Sequence, residues 1–172
     1  NELRKFGGRW GKLDVHGFAP FEGFADVLRV RTDSDNPNVS SHWHTDATWK
    51  AMPPKITMLL AREIPSIGGD TIFSSQYKAY ESLSESMKSF IDPLDAQHDG
   101  RIIDPKLAEQ PVTHPLVITH PETQRKALYV NANYTQNILQ LTQHESESLL
   151  NFLFAHSTNE SFQARVRYEP GT

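Results

Sequence analysis

Short β-prone runs, each closed within a few residues by proline or glycine, recur along this 172-residue chain and leave little room for a fold of long helices. Leu13 to His16, Val27 to Thr32, Ile56 to Arg62, Thr71 to Phe73, Pro115 to Thr119 and Ala127 to Asn131 are such runs. Pro53-Pro54 bars a helix ahead of Ile56, and the run from Ile56 to Arg62 reads as a buried strand by its length and apolar content. Arg165 to Tyr168 is a further β-prone run that meets the Pro170-Gly171 turn signal, with no strand after it to serve as partner. Helical spacing occurs twice. Tyr77, Tyr80, Leu83, Met87, Phe90 and Ile91 recur at intervals of three and four and predict one helix from Ser75 to Ile91, ended near Pro93. Thr142-Gln143-His144-Glu145 is a capping-box pattern that opens a second helix running through Ala155. Gly100 to Pro111, charged and irregular, is expected as an exposed excursion of the kind that serves as a lid.

Many short strands with two helices predict a mainly β fold with flanking helices, a barrel or jelly roll rather than a βαβ repeat. The length suits a single domain over residues 1–172. With 17 Lys+Arg against 21 Asp+Glu and a formal charge of −4, the chain has no basic field to draw in a phosphate backbone, so nucleic acid is not expected as a partner. The absence of cysteine removes disulfides, thiolate metal sites and a thiol nucleophile, so any metal must be held by nitrogen and oxygen. No apolar stretch approaches a membrane span and no signal segment opens the chain, which predicts a cytoplasmic protein without membrane association. The chain begins at Asn1, and Phe6-Gly7-Gly8-Arg9-Trp10-Gly11 reads like the interior of a longer sequence. A fragment is expected, with its fold incomplete at the C-terminus.

The chemistry concentrates in Ser41-His42-Trp43-His44-Thr45-Asp46. If Trp43 and Thr45 hold the backbone extended, residues two apart point the same way, and the donors of His44 and Asp46 can converge on one ion. An imidazole and a carboxylate suit a divalent metal, and with a distant third histidine they form a facial triad that leaves coordination positions open. Three ligands along one strand span roughly 7 Å at about 3.4 Å per residue, so His42 is expected as a neighbour of the pair rather than a third ligand. His98, His114 and His120 read as hydrogen-bonded structural or turn residues, and His144 and His156 as surface or capping groups of the second helix. Trp43 and Tyr129 are candidates to wall the site off from water.

A series of motifs makes this pattern specific. Phe6-Gly7-Gly8, Trp43-His44-Thr45-Asp46, Pro53-Pro54, Gly68-Gly69-Asp70-Thr71, His114-Pro115-Leu116-Val117 with Thr119-His120-Pro121, and Ala127-Leu128-Tyr129-Val130-Asn131 follow in order. Leu149 to His156 and Phe162-Gln163-Ala164-Arg165 complete the series. In order and spacing the chain resembles the taurine and 2,4-dichlorophenoxyacetate dioxygenase family over nearly its whole length. The resemblance implies a double-stranded β-helix that binds Fe(II) and the cosubstrate 2-oxoglutarate, consumes dioxygen, and hydroxylates a small organic substrate with release of succinate and carbon dioxide. It implies His44 and Asp46 as iron ligands and Thr71 as a hydrogen-bond partner of a 2-oxoglutarate carboxylate. The family's third iron ligand and its 2-oxoglutarate-binding arginine would lie shortly after Thr172. His16 matches the position at which taurine enzymes set a histidine against the sulfonate, and an imidazole there suits an anionic group. The match is partial: the taurine pattern has Asn at Ser40, Tyr at Ala19 and Arg at Ile118. A sulfonate, a sulfate ester or a carboxylate substrate therefore stays open. Two other classes compete, a non-catalytic jelly-roll binding protein with an incomplete metal site and a zinc hydrolase built on His42, His44 and Asp46. Unpaired sheet edges, like the family itself, favour homo-oligomers.

Overall fold

The computed structural model describes residues 2–15, 20–33, 42–102, 104–105 and 110–172. It divides the chain into two compact units, one of residues 1–41, 54–64 and 169–172, the other of 42–53 and 65–168.

In the first unit, helix α1 (Glu2–Gly7) precedes an antiparallel pair, β1 (Pro20–Phe21) and β2 (Phe24–Leu28), which turns at Gly23 with φ 82°. Arg4 of α1 pairs with Asp26 of β2 at 2.8 Å and lies over the Phe24 ring. Gly7 is required by close approach, since a Cβ there would come within 2.9 Å of Leu13. The expected buried strand at Ile56 to Arg62 is not seen: among the described residues the segment joins no strand ladder, and Ile56, Leu59 and Leu60 are exposed. Apolar content alone does not make a strand where ladder partners are lacking. Ala61 is bonded strand-fashion among the described residues, donating to the Thr172 carbonyl and accepting from the Gly171 amide. Likewise, the expected strand at Val27 to Thr32 is displaced toward the N-terminus and ends at Leu28.

The second unit carries the site. β3 (Thr71–Ser74) pairs antiparallel with β9 (Gln163–Val166). The β-prone run near the C-terminus therefore finds its partner about ninety residues earlier in the chain. The single helix expected from Ser75 to Ile91 is two, α2 (Gln76–Glu81) and α3 (Glu85–Ile91). The break is chemical: the Ser84 hydroxyl accepts the Met87 amide and caps a new helix, a bond that competes with helix continuation. β4 (Asp95–His98) lies between β5 (Val112–Pro115) and β8 (Thr135–Ile138) in an antiparallel sheet, and β6 (Val117–Thr119) pairs with β7 (Lys126–Leu128) as a hairpin. The run Pro115 to Thr119 is thus divided at Leu116, whose amide donates to Leu94 and whose carbonyl accepts from Tyr129. α4 (Gln143–Ser157) begins with the capping box, the Thr142 amide donating to the Glu145 carboxylate at 2.9 Å. Its buried Ser146 hydroxyl accepts the Ile138 amide and ties the helix to β8. Ile91, Leu116, Leu128, Ile138 and Leu153 are fully enclosed in the core. Among the described residues the strands outnumber the α-helices nine to four, and no helix is long and apolar enough to cross a membrane.

Candidate metal and cosubstrate site

His44 and Asp46 are not on a strand. Residues 43–45 are irregular, and 46–49 form a turn closed by the Lys50 amide donating to the Ala47 carbonyl at 3.0 Å. The turn requires Ala47 at φ 53°, in the left-handed region that costs a residue with a Cβ about 1 kcal/mol. The convergence expected from strand periodicity is reached by this other route. His44 Nδ1 lies 2.8 Å from the His42 carbonyl, which only accepts, so Nδ1 carries a proton and Nε2 is left facing Asp46 Oδ1 at 3.2 Å. The hydrogen bond to Asp46 holds the His44 pKa above its ordinary value against the opposing effect of burial.

That geometry suits a metal. Two donors at about 2.1 Å from one ion, at right angles, lie about 3.0 Å apart, close to the observed separation. The ring orientation is also suitable, with Nδ1 tied to a carbonyl and Nε2 turned toward Asp46, where an ion would take the place of the proton the two share. His42 contributes its backbone carbonyl, and among the described residues no third His, Asp or Glu joins the pair.

Thr71 is positioned by a different element. Gly68 and Gly69, at φ 83° and 78°, make a consecutive left-handed turn that delivers Asp70 and Thr71 to the head of β3, where Thr71 pairs with Val166. Arg165 holds Asp70 at 3.2 Å. His16 lies outside the described residues, as do Ala19, Ser40 and part of the Gly100 to Pro111 excursion.

The structural histidines are more organised than the sequence suggests. His98 of β4 and His114 of β5 are buried and meet edge to face at 5.3 Å, and Tyr129 stacks on His98. Both histidines bond the turn that follows Asp46: His98 Nδ1 is 3.0 Å from the Thr48 hydroxyl, and His114 Nε2 is 2.9 Å and 3.0 Å from the carbonyls of Thr48 and Lys50. Asn131 Nδ2 donates to the same hydroxyl, and Trp49 packs on Tyr134 at 4.6 Å. Nothing local in the sequence links these residues, which stand 50 to 83 positions apart. His120 accepts the amides of Glu122 and Thr123 in a turn, as expected. His144 is exposed, whereas half-buried His156 donates to the Ala79 carbonyl and joins α4 to α2.

The model of the taurine catabolism dioxygenase TauD, TfdA family matches residues 1–172. The chain belongs to that family. It is 37% identical over 193 aligned residues to the alpha-ketoglutarate-dependent dioxygenase cnsP of Penicillium expansum, covering 98% of this chain and 52% of the relative. It is 32% identical to an alpha-ketoglutarate-dependent sulfonate dioxygenase of Saccharomyces cerevisiae, covering 98% of this chain and 46% of the relative. Among solved structures, a Burkholderia xenovorans protein described as an alpha-ketoglutarate-dependent taurine dioxygenase superposes with a TM-score of 0.88 at 32% identity, covering 99% of this chain and 61% of that one. The chain spans about half the length of the curated relatives it matches. Its mainly β architecture with helices agrees with that structural neighbour.

Proposed function

We propose that this chain carries the His-x-Asp half of the iron site of an Fe(II)- and 2-oxoglutarate-dependent dioxygenase that hydroxylates a small anionic substrate. The observation that carries the reading is the His44–Asp46 pair, 3.2 Å apart with the His44 tautomer set by the His42 carbonyl. Bound iron with 2-oxoglutarate supplies the oxidation of a substrate C–H bond, with succinate and carbon dioxide as coproducts. The protein's part is binding and orientation. His44 Nε2 and Asp46 Oδ1 hold the ion, the imidazole contributing no charge and the carboxylate one negative charge. The Thr71 hydroxyl donates to a 2-oxoglutarate carboxylate, which can approach closely over Gly68-Gly69 because neither residue projects a Cβ. His16 presents a donor to the substrate's anionic group, a sulfonate, sulfate ester or carboxylate; the sulfonate dioxygenase relative supports that class. The strands belong to a double-stranded β-helix, with residues 1–172 contributing to a single dioxygenase-like domain.

The test uses the full-length protein with Fe(II) and 2-oxoglutarate. Succinate release is expected with an alkyl sulfonate or sulfate ester. His44→Ala and Asp46→Ala are each expected to lower it by two orders of magnitude or more and to abolish Mn(II) binding. Unchanged turnover and metal affinity in either variant would sink the assignment.

A further inference from the structure

The residue after Asp46 is strained, and strained backbone persists only where its surroundings over-determine it. The determinants here are polar and buried. Thr48 is fully enclosed, and its hydroxyl meets His98 Nδ1 at 3.0 Å and accepts Asn131 Nδ2 at 3.3 Å. His114 Nε2 faces two backbone carbonyls, Thr48 and Lys50, at 2.9 Å and 3.0 Å. Carbonyls only accept, so this nitrogen must carry the proton and share it between both ends of the turn. Thr135 bonds the Asn131 amide through its hydroxyl and secures the residue that in turn secures Thr48. His98, His114 and Thr135 stand on β4, β5 and β8, the three strands of one sheet. That sheet grips residues 48 and 50 from below while His44 and Asp46 remain open to solvent on the preceding residues.

The geometry points to Thr48, with His114 and His98, as positioning residues that fix the Asp46 carboxylate at ligating distance from His44 by clamping the strained Ala47–Lys50 turn onto the sheet. None of the three touches the ion. Their effect passes through the backbone, and a carboxylate displaced by a fraction of an ångström loses its shared ligand geometry. The inference rests on the proposed metal role of His44 and Asp46. It adds that metal affinity is set by buried groups 50 and 66 positions from Thr48 in sequence.

Mn(II) alone is the probe, titrated by electron paramagnetic resonance against the full-length protein. Thr48→Val removes the hydroxyl and keeps the shape, and His114→Leu removes the shared donor. Thr48→Ser and His114→Gln restore a hydroxyl and a nitrogen donor. Ile91→Val in the α3 core is the control for stability lost away from the turn. The Kd is expected to rise about tenfold in T48V and H114L, the lower end of what outer partners of metal ligands contribute. It should return to within about twofold of wild type in T48S and H114Q and stay unchanged in I91V. Equal Kd values for wild type, T48V and H114L overturn the inference, and so does weakening in I91V as large as theirs. Should wild-type protein fail to bind Mn(II), the metal-site reading falls and takes this inference with it, a result distinct from binding that the variants leave unchanged.

Discussion

His98 offers a quantitative check on the buried network through the pH dependence of stability. Burial, aided by the neighbouring His114, pushes its pKa from the ordinary 6.5 down to about 4. The groups around it are His114, Tyr129 and the hydroxyls of Thr48 and Thr135; the adjacent Asp99 is paired with Arg101. Below pH 6.5 the unfolded chain takes up a proton that the folded chain refuses until about pH 4. Stability therefore falls as pH drops through that window. At about 1.36 kcal/mol per pH unit, the 1.5 units from 6.5 to 5 cost about 2 kcal/mol. His44 runs the other way, since its raised pKa adds stability as it protonates, so the wild-type curve alone does not isolate His98. His98→Asn keeps a nitrogen near Nδ1 and does not titrate. Urea denaturation followed by circular dichroism at pH 7.5 and 5.0 should show wild type losing about 2 kcal/mol more across the interval than H98N, within a factor of two. Equal losses in the two proteins would refute a buried, neutral His98.

Three further outcomes follow from local geometry. Gly68→Ala places a Cβ at φ 83° with nothing within 4 Å, so its cost of about 1 kcal/mol is backbone strain alone, and a raised KM for 2-oxoglutarate should accompany the lower Tm. Thr142→Ala removes the hydroxyl that donates to Glu145 at 2.7 Å and should cost about 1 kcal/mol in urea denaturation, with the loss of hydrogen-exchange protection confined to the first turn of α4. Glu81→Gln breaks a half-exposed pair with Arg125 that should contribute less than about 1 kcal/mol, so Tm should barely move; a large drop would mean the pair is better shielded than its geometry indicates.

The sequence alone determined the features that depend on near neighbours. The ordered motifs from Phe6 to Arg165 identified the family, Thr142 and Glu145 marked the start of α4, and the two-residue spacing of His44 and Asp46 singled out the pair proposed here as metal ligands. Capping and short motifs are local, so their signal survives in the linear chain. Tertiary structure decided the rest. One helix closed at Ser82 and Ser84 began another within a single apolar periodicity, because a cap hydrogen bond competed with continuation. Ile56 to Arg62 met the composition of a strand without gaining a ladder. The His44–Asp46 pair converges on irregular backbone that leads into a left-handed turn, not on a strand, and that turn is held by His98, His114 and Asn131 from 50 to 83 residues away. Their role comes from a sheet that brings β4, β5 and β8 side by side, and contacts of that range leave no periodicity or spacing to read.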